Sequence, residues 1–234
     1  MSAGLIEENV ARVLDRIATA AAKAGRLPSE ITLVGVCKYF GSEVTQWVAN
    51  AGICDLGENR PQQLWEKAQS LQQYDIRWHQ IGHLQRNKVR RTIPLIALLH
   101  AGDSLRLLKE VHKESLRLGQ RTPVLLEVNV SGEQAKHGFE IGEMEEVLKQ
   151  CVDLTGLEVR GLMAMAGLQS GLEGAKREFE ELASLRERLM KVKPESVDLS
   201  ELSMGMSRDY DIAIEQGATI VRVGSSLFEG LPRE

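Results

Sequence analysis

Ile31-Thr32-Leu33-Val34-Gly35-Val36-Cys37-Lys38 is the stretch whose reading decides the fold. A short run rich in β-branched residues with no polar alternation reads as a strand buried on both faces, the signature of a parallel sheet covered by helices. Such a run ends where it meets water, and here it ends on a lysine. An amine delivered into a cleft loses solvation, which favours its neutral, nucleophilic form and suits it to carbonyl compounds.

The same pattern recurs along the chain. Strand-like runs fall near Ile31–Cys37, Ile53–Leu56, Ile76–Ile81, Leu95–His100, Val124–Val130, Leu157–Met163, Asp198–Leu202 and Thr219–Val223. Helical periodicity falls between them, near Ser42–Ala51, Pro61–Ser70, Leu84–Arg91, Leu105–Leu118, Gly142–Cys151, Leu172–Lys191 and Arg208–Gln216, after a leading amphipathic helix from Leu5 to Ala24. Ser42, Asp103-Ser104 and Ser207 supply helix starts, and Gly52, Gly119 and Gly217 stand where a left-handed residue ends a helix. Strands alternating one for one with helices predict an α/β fold, a single-domain (β/α)8 TIM barrel over residues 1–234 with an extra N-terminal helix. Units of roughly 25 residues fit that fold. A doubly wound open sheet has the same local pattern and stays open as the alternative.

Composition narrows the class. The chain has 234 residues, 43% hydrophobic and 26% charged, with a formal net charge of −4. That balance is ordinary for a globular protein and argues against a nucleic-acid partner. Arg86, Lys88, Arg90 and Arg91 form the one strongly basic cluster, read as a solvated helix face. No apolar stretch is long enough for a membrane span, and the N-terminus lacks a signal-peptide pattern, so a cytoplasmic protein without a membrane partner is expected; a monomer is the expected oligomeric state. Cys37, Cys54 and Cys151 show no CxxC spacing; Cys37 and Cys54 read as small core residues.

In a parallel barrel the chemistry gathers at the C-terminal ends of the strands. Those ends carry Lys38, then Gly57-Glu58-Asn59, then His79 to Lys88, His100 to Ser104, Asn129 with the loop holding Lys136-His137-Gly138, Met163 to Met165, Ser203-Met204-Gly205-Met206-Ser207, and Arg222-Val223-Gly224-Ser225-Ser226. The last two loops are glycine- and serine-rich, where backbone N–H groups can approach a phosphate. A lysine on strand 1 opposite a phosphate cradle suggests pyridoxal 5′-phosphate. Arg222 then falls within reach of the ring nitrogen, which a guanidinium would keep unprotonated. Its alternative is an ion pair with Asp209 or Asp211.

These segments, in matching order along nearly the whole chain, resemble the pyridoxal phosphate homeostasis protein family; the stretches Leu84–Lys88 and Ser203–Ser207 are the most distinctive. The resemblance implies a barrel related to the N-terminal domain of alanine racemase and a cofactor bound as an aldimine, a Schiff base, to Lys38. It also implies phosphate contacts at Ser203, Ser207, Gly224 and Ser225 beside Met206, polar contact at Asn59, ring-nitrogen contact at Arg222, and a second lysine, Lys136, that assists transfer or release. The family usually has serine and threonine around the reactive lysine, an aromatic residue at Arg60 and proline at His83; this chain has Cys37, Tyr39, Arg60 and His83.

Family members are described as carriers or regulators of the vitamin B6 pool, which implies homeostasis without strong catalysis and apo pyridoxal-phosphate enzymes as partners. Alanine racemases place a second base, a tyrosine, on a further β domain, which this sequence is expected to lack. Without an opposed acid–base group, stereoinversion is expected to be poor. The alternative is an amino-acid racemase or lyase using Tyr39 or His83 as second base and Arg60 or Arg86 as carboxylate anchor. A third reading makes the cofactor site a sensor, with Glu140–Glu146 or Arg86–Arg91 docking a partner. His100 and His112 read as ordinary polar residues, no metal site is expected at His79 and His83, and the methionines near strand ends read as packing.

Overall fold

A computed structural model describes residues 2–132, 137–167 and 169–232. Eight parallel strands close into a barrel in sequence order: β1 (Thr32–Val36), β2 (Asp55–Glu58), β3 (Arg77–Gln80), β4 (Leu98–Gly102), β5 (Thr122–Glu127), β6 (Leu157–Met163), β7 (Glu201–Ser203) and β8 (Ile220–Val223). Closure comes from β1 pairing with β8, Val34 opposite Arg222. The open-sheet alternative is thereby excluded.

Helices follow the strands on the outside: α1 (Ser2–Lys23), α2 (Ser42–Asn50), α3 (Pro61–Ser70), α4 (Val89–Thr92), α5 (Leu105–Arg117), α6 (Met144–Cys151), α7 (Gly171–Met190) and α8 (Tyr210–Glu215). Helix α1 precedes β1 but packs between α8 and α2, so it takes the outer-ring place of a helix that would follow β8. Ile6, Val10, Val13 and Ile17, at intervals of three and four, are all buried. This spacing puts them on one helix face. From the same face, buried Asn9 donates to the Leu227 and Glu229 carbonyls at 3.0 Å each, fixing the segment after β8.

The main core lies between strands and helices, with Leu56, Leu64, Leu99, Leu126, Leu162 and Phe179 buried in it. A second, smaller cluster of Val34, Leu98, Leu125, Met163 and Ile220 fills the barrel interior. Two-residue alternation carries the Val34 side of β1 through Val36 to Lys38 at the mouth.

Several elements depart from the sequence expectation. The helix expected over Leu84–Arg91 is a 3-10 turn at Arg86–Lys88 followed by the single turn α4 and a second 3-10 turn, Ile93–Leu95, that contains Pro94. Proline cannot continue a hydrogen-bonded helix there. Ser207 lies in a turn, and the last helix begins only at Tyr210. Cys54 is exposed, whereas Cys37 is fully buried and its thiol is pushed up to about 12 by desolvation. Gly52, Gly119 and Gly217 do adopt the left-handed conformation expected of them.

Candidate functional site

Lys38 lies two residues past β1 and is half-buried, with Nζ 5.0 Å from the centroid of the exposed Tyr39 ring. Beneath it, Lys67 of α3 and Glu58 of β2 form an ion pair that is almost completely buried. Lys67 Nζ also donates to the Cys37 carbonyl at 2.9 Å, so the pair anchors the backbone that carries Lys38. Glu58 Oε2 has no hydrogen-bond partner. Desolvation raises the Glu58 pKa, opposed first by the charge of Lys67 and, more weakly, by that of Lys38.

Register sets what stands beside Lys38. Because Val34 faces Arg222, the residues following β8 rise alongside the residues following β1. Gly224 comes so close to β1 that a Cβ would stand 3.3 Å from the Val36 carbonyl oxygen. The Gly224 and Ser226 N–H groups converge on Ser207 Oγ at 3.0 and 3.4 Å. Both glycine-serine loops therefore meet at one point, with Ser225 and Met206 exposed at its rim. The Met206 N–H is turned aside to Asp209 Oδ1 at 2.6 Å.

Ser203 stands lower. It is fully buried at the end of β7, and its hydroxyl belongs to a chain of hydrogen bonds that runs through the barrel. Arg222 donates to Ser203 Oγ at 2.5 Å, to the Ser203 carbonyl at 3.0 Å and to the Ala164 carbonyl at 3.0 Å. Ser203 Oγ contacts His100 Nδ1 at 2.9 Å, His100 Nε2 contacts His79 Nδ1 at 2.8 Å, and His79 Nε2 contacts Asp55 Oδ1 at 2.9 Å. With neutral rings and an ionised Asp55, only one donor assignment satisfies every contact: each group donates toward Asp55. Burial drives the His100 pKa far below the usual histidine value, keeping that ring neutral. Burial also pushes Asp55 up, but Arg77 and His79 outweigh it and hold the carboxyl at about 2. Burial lowers Arg222 to about 10 despite the charges of Glu127 and Asp209. Asp211 pairs with Arg16 rather than with Arg222.

Asn59 is exposed just past β2. Its carbonyl accepts from Gln80 Nε2 at 3.1 Å, and its side chain overlies Gly82 so closely that a Cβ there would come within 2.1 Å of Oδ1. A cavity of about 440 Å3 adjoins Lys38 on this side, lined by Tyr39, Ser42, Asn59, Arg60 and Lys67. The glycine-serine loops do not line it. Lys136 lies outside the described residues.

Sequence reasoning missed the interior chain. His100 is not an ordinary polar residue but a buried partner of His79, and no periodicity separates a polar inward position from an apolar one. It also missed a cluster on the far side of the mouth: His83 Nδ1 lies 2.5 Å from Asp103 Oδ2, and the His83 ring stacks on that of His137 at 4.3 Å. Arg86 is exposed, as expected of a solvated face, while Arg91 stacks on Trp65 at 4.2 Å. Glu127 ends β5, where burial and then the charge of Asp103 raise it to about 7.

A closed parallel barrel with a lysine after its first strand and anion-competent loops after its last two defines a protein of the alanine racemase N-terminal domain class, and residues 43–232 match that domain family. Within the class, the chain belongs to the pyridoxal phosphate homeostasis protein family. It is 38% identical to the pyridoxal phosphate homeostasis protein of Aquifex aeolicus over 94% of this chain and 96% of that one. It is 33% identical to the Escherichia coli K12 protein of the same name, covering 95% of each. The structure of PipY from Synechococcus elongatus with PLP bound superposes with a TM-score of 0.83 at 28% identity, covering 95% of this chain and 99% of that one.

Proposed function

We propose that this protein binds pyridoxal 5′-phosphate reversibly and serves intracellular vitamin B6 homeostasis rather than strong catalysis. The observation that carries the reading is the convergence of Gly224 N–H and Ser226 N–H on Ser207 Oγ, beside the strand that leads into Lys38. Converging backbone donors with an adjacent hydroxyl suit a phosphate. Lys38 Nζ is the proposed attachment point, joined to the cofactor aldehyde as a Schiff base. Ser207, Gly224 and Ser225 would hold the phosphate with Met206 at the rim, Asn59 would border the ring, and Arg222 would face its nitrogen. We assign Ser203, whose hydroxyl is engaged by His100 and Arg222, to orienting that guanidinium beneath the phosphate loops. Lys136 remains the proposed transfer lysine, and apo enzymes that need the cofactor are the proposed recipients of a monomeric, cytoplasmic carrier.

When bound, the cofactor supplies an electron sink for amino-acid chemistry. Arg222 weakens that sink, since a guanidinium donates and cannot accept a proton from a ring nitrogen. The donors of Arg222 are fixed by the Ser203 and Ala164 carbonyls, so it keeps one orientation.

The test is spectroscopic. Protein mixed with pyridoxal phosphate should develop a band at roughly 420 nm, as expected of a lysine-linked cofactor. Borohydride should fix the label on the peptide holding Lys38. Lys38→Ala should lose both signals. Label on another lysine, with the band intact in Lys38→Ala, would refute the assignment.

A further inference from the structure

We propose that His83, Asp103 and His137 form a binding site for a divalent transition metal of the zinc class, on the β3–β5 side of the barrel mouth. This goes beyond the cofactor reading and does not depend on it.

The three residues come from separate loops at the strand C-termini. His83 follows β3, Asp103 follows β4, and His137 precedes Phe139, which pairs back onto Val128 just past β5. One ligand atom from each lies within 4.8 Å of the other two. The two imidazoles are stacked with an interplanar angle of 12°. Two histidines and a carboxylate are a donor set suited to zinc, cobalt or nickel. Asp103 is buried, its side chain only 3% exposed, so one ligand is held rigidly while both histidines are exposed. Glu127 faces Asp103 from β5 and adds a second carboxylate to the field. A cleft of about 470 Å3, lined by His83, Gln85, Ser104 and Arg106, gives access from solvent.

Magnitudes support the fit. Ligands about 2.05 Å from a tetrahedral ion stand about 3.3 Å apart. The His83–Asp103 contact of 2.5 Å must therefore open by about 0.8 Å, and the widest separation must close by at most about 1.5 Å. Both histidine side chains are exposed, which leaves their rings room to make these movements. The set supplies three protein ligands and leaves a fourth position for water or a small donor, the arrangement of an open rather than a structural site.

The experiment titrates cofactor-stripped, untagged protein with Co2+ and follows the visible absorption of tetrahedral cobalt, then repeats the titration with Zn2+ by calorimetry. Stripping the cofactor matters because pyridoxal phosphate itself chelates divalent metals. Cys54→Ser serves as background, removing the exposed thiol. One equivalent should bind, and His83→Gln and His137→Gln should each weaken binding about tenfold or more, following the loss expected when a metal site is disturbed. Asp103→Asn should do the same. Far-ultraviolet circular dichroism checks folding, and the two histidine changes are at exposed positions. Absence of stoichiometric binding overturns the proposal. So does binding that survives intact in both histidine variants.

Discussion

Lys67→Met is the substitution whose cost can be worked most directly from the structure. Lys67 Nζ sits between Glu58 Oε1 and the Cys37 carbonyl, and both Lys67 and Glu58 are buried. Methionine keeps the length of the side chain but removes the ammonium that Oε1 engages, while Glu58 Oε2 is already unpartnered. Breaking one side of a buried pair costs about 3–5 kcal/mol. With a urea dependence of about 3 kcal/mol per molar, the unfolding midpoint falls by about 1–1.7 M.

The sign of its pH dependence is fixed too. The folded pKa of Glu58 is raised, so between its unfolded and folded values the folded state holds a proton that the unfolded chain has released, and above that window the pair with Lys67 is fully ionised. Within the window, unfolding free energy falls as pH rises, with a limiting slope of about 1.4 kcal/mol per unit. In Lys67→Met the counter-charge is gone and the pKa rises further, so the penalty should be smaller at pH 5 than at pH 8. Glu58→Leu combined with Lys67→Met should recover most of the loss, because replacing both charges by apolar groups is often nearly neutral. Urea titrations followed by tryptophan fluorescence measure all three. A midpoint within about 0.3 M of the parent at pH 8, roughly 1 kcal/mol on the same slope, would refute the reasoning, as would a penalty independent of pH.

Glu127→Gln should remove a decline in stability between about pH 4.5 and 7, because a carboxyl raised to about 7 contributes stability below its unfolded pKa and loses it as pH rises through the folded one; parallel thermal melts of the two proteins check this. Gly82→Ala should displace Asn59, whose Oδ1 and backbone carbonyl oxygen lie 2.1 and 2.6 Å from the added carbon, and so lower stability and weaken cofactor binding together; a chemical melt and a fluorescence titration measure the two losses. Ser207→Ala should raise the dissociation constant for pyridoxal phosphate about tenfold, one hydrogen bond to a charged group being about 1.5 kcal/mol, while leaving the 420 nm band in place. An unchanged constant would remove Ser207 from the phosphate site.

What could be read from the sequence tracks where hydrophobicity reports position. The apolar run ending at Lys38 locates β1 because both of its faces are covered. The run before Glu58 stops at Leu56, yet β2 spans Asp55–Glu58, since its pairing to β3 is set by the neighbour from Asp55 opposite Arg77 to Glu58 opposite Gln80. Likewise β4 runs on to Gly102 and β7 is only Glu201–Ser203. Polar residues inside the barrel, Asp55, His79, His100 and Arg222, hide strand ends from any reading based on burial of apolar groups. The glycine-serine loops were legible as a pair because glycine marks close approach. Their tie through Ser207 was not, because a hydrogen bond between residues 17 apart has no local trace.

The interior chain also bears on how a cofactor held as proposed would be electronically tuned. Arg222 is braced by two carbonyls and by a serine whose hydroxyl is oriented in turn by His100, His79 and Asp55. A donor held by three acceptors, one of them backed in turn by His100, His79 and Asp55, is restrained from swinging away from the position it faces. Burial, opposed by the charges of Glu127 and Asp209, lowers its pKa only to about 10, so it stays cationic at neutral pH. Any ring nitrogen meeting that guanidinium is therefore held unprotonated, which weakens carbanion stabilisation whatever base lies on the other face. Replacing Arg222 with glutamate would reverse this logic at the ring, but it would bury a carboxylate against the Ser203 and Ala164 carbonyls. Combining Arg222→Glu with Ser203→Ala removes the hydroxyl that the guanidinium engages, though both carbonyls stay. On this reasoning the double variant, if folded by circular dichroism, exchanges the α-proton of alanine in deuterated water faster than the parent. Equal rates in the two proteins would mean that Arg222 is not what restrains the chemistry.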